Sequence, residues 1–97
     1  MQTTHYFLKL VPCRPTFAQD MTPEERAIMH RHAAYLKDLA NKGVIIVFGP
    51  VFDPNAAYGM AVVNAENEEQ VKTIIANDPA SAINTYEFYP MVAVVKE

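Results

Sequence analysis

Apolar residues along 23–42 recur with a helical period. With Ile28 at zero and about 100° per residue, Met29, His32, Leu36 and Leu39 fall in one narrow arc, with Tyr35 on its edge. His30, Lys37 and Asn41 fall on the opposite side. The start is marked by Thr22-Pro23-Glu24-Glu25: a capping threonine, a proline suited to the first helical position, and a glutamate that completes a capping box. Gly43 suits the position just past the helix end. A second helical pattern begins at Asn67, with Gln70 in the box position. It turns Val71, Ile74 and Ile75 to one side and ends near Asp78-Pro79. The remaining apolar stretches read as strands: 4–11 (THYFLKLV), 44–48, 58–65 and 85–95. Two prolines make 12–21 a loop, Gly49-Pro50 opens a turn or loop over 49–55, and 80–84 is a connector.

The resulting order, β-α-β-β-α-β, predicts an α+β ferredoxin-like fold in which two helices cover one face of a four-stranded antiparallel sheet. The strand at 44–48 is nevertheless apolar on both faces, and 60–63 and 91–95 nearly so. A solvated antiparallel face normally carries polar side chains. The second face is therefore expected to pack on the same face of another copy, giving a homodimer.

Composition narrows the picture further. A length of 97 residues suits a single domain, 1–97, and half of the chain is hydrophobic. The net charge of −3 is spread along the chain, without a basic patch for nucleic acid or a membrane surface. No apolar run is long enough to span a bilayer, and Lys9 interrupts the only candidate for a secretory core, so a cytoplasmic protein is expected. Cys13 is the single cysteine, which excludes an internal disulfide or a cysteine-based zinc site. His30 and His32 diverge by about 200° on a helix and cannot share a metal. No metal or other cofactor is expected.

His32 is the residue to explain, because an imidazole on a core-facing stripe must find hydrogen-bond partners. On the second helix Asp78 lies within about 20° of Val71, so it too points inward. A carboxylate in a helix's last turn meets the negative end of the macrodipole and calls for a compensating partner. Helices side by side on one sheet face can bring these two together, which predicts a His32–Asp78 pair. The carboxylate would orient the imidazole and leave its other nitrogen free for acid–base work. Both residues also have plain structural explanations: a hydrogen-bonded core histidine, and a helix-ending Asp-Pro pair. Among further candidates, Arg14 could hold an anionic substrate group. Tyr35 could reach a site with its hydroxyl, and Gly49 and Pro50 could shape a pocket wall.

The helix motif His32-x-x-Tyr35-Leu36, followed by Lys42-Gly43-Val44, Gly49-Pro50, Asp78-Pro79 and the closing Tyr86-Glu87-Phe88-Tyr89-Pro90, resembles the YciI-like (YCII-related) family over nearly the whole chain. The resemblance implies a dimeric α+β barrel and an active site built on a histidine and an aspartate, which map onto His32 and Asp78. It departs after the Asp-Pro pair, where Ala80 and Ser81 replace the bulkier residues of many members. The reading that follows is a small-molecule enzyme of isomerase, lyase or hydrolase type working through a His–Asp pair. A non-catalytic dimeric module that binds a small ligand or serves an adjacent enzyme is the alternative.

Overall fold

The computed structural model describes residues 4–96. Strands β1 (Thr4–Val11), β2 (Ile45–Val51), β3 (Tyr58–Ala65) and β4 (Thr85–Met91) form one antiparallel sheet in the order β2-β3-β1-β4. Helices α1 (Phe17–Asp20), α2 (Pro23–Asn41) and α3 (Glu68–Ala76) and a 3-10 turn at Pro79–Ala82 complete it. This is the ferredoxin-like α+β arrangement, with the strand order that places β1 and β3 at the centre.

The local signals act as their chemistry requires. Thr22 accepts from the Glu25 amide at 3.1 Å while the Glu25 carboxylate accepts from the Thr22 amide at 2.9 Å. Two donors that the first turn leaves without helical partners are thereby satisfied. Gly43 ends α2 with φ +82°, a left-handed conformation that suits glycine. Asn67 caps α3 by accepting from the Gln70 amide. The α2 stripe faces the sheet as its period requires: Leu36 is buried, Met29, His32, Tyr35 and Leu39 are half-buried, and His30, Lys37 and Asn41 are exposed. Leu36 joins Tyr6, Leu8, Ile45, Ala61, Val63 and Val71 in the core between the helices and one sheet face.

Several segments differ from the sequence reading, among them the 80–84 connector, which is partly a 3-10 turn. The expected loop at 12–21 contains α1, anchored by Phe17, which is 5% exposed; a single turn is too short to show a period. Gly49 and Pro50 lie inside β2 rather than in a turn, paired with Met60 and Gly59. Because β2 is an edge strand, Pro50 can stand there without removing a ladder donor. β4 ends at Met91 instead of continuing to 95. Its ladder with β1 stops at His5↔Met91, and the next contact is the Ala93 amide donating to His5 Nδ1 at 3.3 Å. Among the described residues, no helix is long and apolar enough to cross a membrane.

Candidate active site

Asp78 lies beyond α3, two residues after Ala76, in an extended conformation (φ −79°, ψ 125°) suited to the position before a proline. It is the N-cap of the 3-10 turn, and its Oδ1 accepts from the Ala80 amide at 2.9 Å. The expected clash with the α3 macrodipole is thus absent. The carboxylate faces the amide end of the next turn, where negative charge is favoured.

His32 meets it from α2. Nδ1 lies 2.7 Å from Oδ2 and 3.0 Å from Oδ1 of Asp78. An ionised carboxylate can only accept, so Nδ1 carries a proton, and in the neutral ring Nε2 holds the lone pair. Tyr86 on β4 donates its hydroxyl to Oδ2 at 2.5 Å. Asp78 is 3% exposed, yet three donors converge on it. Burial pushes its pKa up, but the hydrogen bonds from His32, Tyr86 and the Ala80 amide outweigh this, and the carboxyl sits below its ordinary range. Burial, reinforced by the bond to Asp78, moves the Tyr86 hydroxyl far up and keeps it a donor.

His32 also lines a cavity of about 260 Å³ under α1, between α2 and the sheet. Phe17, Met21, Met29, Phe48 and Leu10 supply much of its apolar wall. The space exists partly because β3 presents Gly59 and Ala61 to this face, where longer side chains would fill it. Nε2 has no hydrogen-bond partner among the described residues, so the free nitrogen belongs to a histidine whose other nitrogen is fixed.

The other candidates separate. Gly49 and Pro50 do line the cavity. Tyr35 does not; its hydroxyl donates to the Ile74 carbonyl at 2.7 Å and ties α2 to α3. Burial first, then the charge of Asp78, raises its pKa. Arg14 also stands off the cavity lining. It grips Glu25 bidentately at 2.8 and 2.9 Å, and its Nε donates to Asp20 at 2.8 Å. Its donors fasten the start of α2 to the α1 segment. Tyr86 is the site residue that the sequence reading placed only in a closing strand. Its alternation with Phe88 and Pro90 gives the face, but the contact requires the register Leu10↔Tyr86. Among the described residues, no group of three or more His, Cys, Asp or Glu is placed to hold a metal ion.

Comparison with known proteins agrees with this architecture. A structure of 5-chloro-2-hydroxyhydroquinone dehydrochlorinase from Burkholderia phenoliruptrix, in complex with 2,5-dihydroxybenzoquinone, aligns with a TM-score of 0.56 at 26% identity. The alignment covers 84% of this chain and 90% of that one. No curated protein matches the chain. The family model for the YCII-related domain matches residues 6–94, and the chain belongs to that family.

Proposed function

We propose that this protein is a small-molecule enzyme of the lyase type, with His32 as its acid–base group and Asp78 as the residue that orients it. The observation that carries this reading is the division of labour on one imidazole: Nδ1 is held by a buried carboxylate, while the residue lines an apolar cavity and Nε2 has no partner among the described residues. The similar dehydrochlorinase, named for loss of hydrogen chloride from a chlorinated hydroquinone, favours elimination over the isomerase and hydrolase alternatives.

Nε2 accepts a proton from a carbon of the bound molecule. The electron pair of that C–H bond becomes a double bond, and the leaving group departs from the neighbouring carbon with its own bonding pair. The imidazolium formed is stabilised by Asp78, whose charge is maintained by Tyr86 and the Ala80 amide. Nε2 then returns the proton to the leaving group or to water. The apolar wall excludes water and selects an uncharged, largely carbon body.

The test is turnover of a panel of chlorinated and unchlorinated hydroquinones, followed by chloride release and absorbance, with the wild type and His32→Gln. Chloride release that His32→Gln abolishes supports the reading. Turnover unaffected by His32→Gln overturns it, and binding without turnover across the panel assigns the non-catalytic module instead.

We infer also that the protein acts as a homodimer through the sheet face away from the helices. Phe7, Val47, Met60, Val62, Tyr89 and Met91 occupy that face by register, and Val47 and Tyr89 are about half exposed. Sedimentation at micromolar concentration should give a dimer that Phe7→Asp splits; a wild-type monomer rejects it.

A further inference from the structure

We infer that Asn84 is the hydrogen-bond donor that orients a ligand in this cavity, and that it takes a carbonyl or phenolic oxygen. The inference rests on reading the cavity as the substrate site. Asn84 is 7% exposed and lines the same cavity as His32. Its Oδ1 accepts from the Cys13 amide at 3.0 Å. A backbone amide can only donate, so this contact fixes which end of the side chain is oxygen. The NH2 group is turned the other way. There its partner among the described residues is Met29 Sδ at 3.7 Å. A thioether is a weak acceptor, and an amide nitrogen carries two protons. A nearly buried donor is therefore left under-satisfied, an arrangement that buried polar groups rarely keep without a use.

The rest of the cavity sharpens what would satisfy it. No Lys or Arg is among its lining residues, and the Tyr86 hydroxyl is committed to Asp78. Besides Tyr58, whose ring carries Lys9 over it, the lining side chains with spare hydrogen-bonding capacity are His32, through Nε2 as an acceptor, and Asn84, through Nδ2 as a donor. A matching ligand has an uncharged carbon body, one accepting oxygen and a removable proton close to it. A carboxylate or phosphate would meet no cation. The chain delivers this set economically. Asp78 caps the 3-10 turn, Asn84 follows the turn, and Tyr86 stands two residues later on β4. When Nε2 removes a proton from the carbon beside a carbonyl, the freed electron pair forms a carbon–carbon double bond. The carbonyl π pair moves onto oxygen. Asn84 then donates to the atom that gains charge.

Two ligands of nearly identical shape test this: acetophenone, and 2-phenylpropene, which replaces the oxygen with a CH2 group. Both are titrated into the full-length protein by NMR, with the Asn84 side-chain NH2 signals observed. A carbonyl entering a wall of carbon alone would bind more weakly than the hydrocarbon. With Asn84 donating, acetophenone binds about tenfold more tightly and alone moves the Asn84 NH2 signals. Asn84→Asp keeps an acceptor for the Cys13 amide but loses the donor, and the preference reverses. Wild-type affinity that is equal for the two, or better for the hydrocarbon, overturns the role of Asn84 and leaves the cavity reading standing. If neither ligand shifts His32 or the cavity residues, both fall. The wild-type comparison decides even if Asn84→Asp does not fold.

Discussion

Two clusters of polar groups tie neighbouring elements of this molecule to one another, and they differ in what surrounds them. One joins His32, Tyr86 and the Ala80 amide to Asp78 in the interior. The other joins Arg14 to Glu25 and Asp20 at the surface. Both are well formed, with contacts of 3.0 Å or less. In the first, water cannot replace a missing partner, so every member depends on the others. In the second, solvent stands ready to substitute, and the pairing chiefly fixes geometry. The buried cluster ends on a free imidazole nitrogen at a cavity, whereas the surface cluster spends its donors on two carboxylates and a carbonyl.

The sharpest way to break this contrast is Asp78→Ala. It strands an imidazole N–H, a phenolic hydroxyl and a backbone amide, and should cost about 3 kcal/mol or more. Urea unfolding followed by circular dichroism measures it; a loss below about 1 kcal/mol would show that the interior cluster is no more demanding than the surface one.

Acid should act on the same carboxylate less severely, because a protonated Asp78 still accepts. Its folded pKa is depressed, so its contribution is present above the ordinary value of 3.8 and lost as pH falls through the lower folded value. Glu25, brought from 4.5 to about 2 first by Arg14 and then by the Thr22 amide, adds a loss of the same sign as pH falls through that range. Stability measured from pH 5 downward should therefore fall in the wild type. The fall should be shallower in Asp78→Ala relative to its own value at pH 5; parallel curves would remove Asp78 as a source.

Tyr86→Phe tests the cluster more gently. It removes one of three donors while keeping the ring in place, and should cost about 1 kcal/mol. A loss equal to that of Asp78→Ala would mean that Tyr86, not His32, is the main support of the carboxylate.

The contrast also explains what could be read from the chain. The His32–Asp78 pair was legible because both sides are local: a residue's angle on a helix follows from its position, and two inward faces on one sheet meet. What secures Asp78 is an N-cap contact, not compensation at a helix C-terminus. The sequence pattern ran α3 on to Asp78-Pro79, whereas the helix stops at Ala76 and the carboxylate caps the next turn. Tyr86 and Asn84 stayed hidden because their partners depend on strand register and on the path after the 3-10 turn, which no local period encodes. Arg14 looked like an anion binder because its type allows it. Only the fold shows Glu25 and Asp20 already filling its fork.

Arg14→Ala carries the smallest expected effect. The guanidinium is partly exposed, and its pairs with Asp20 and Glu25 compete with hydration. Its loss should lower stability less than Tyr86→Phe does, and the difference from wild type should shrink further as salt is added. Glu25 keeps its capping bond to the Thr22 amide, so α2 should still start where it does. Arg14→Lys cannot reproduce the two parallel bonds to Glu25 and should resemble Arg14→Ala more than wild type. A salt-independent loss larger than that of Tyr86→Phe would move this cluster into the same class as the interior one. The α1 segment that roofs the cavity would then owe its position to Arg14 as much as to the anchoring of Phe17 in the core.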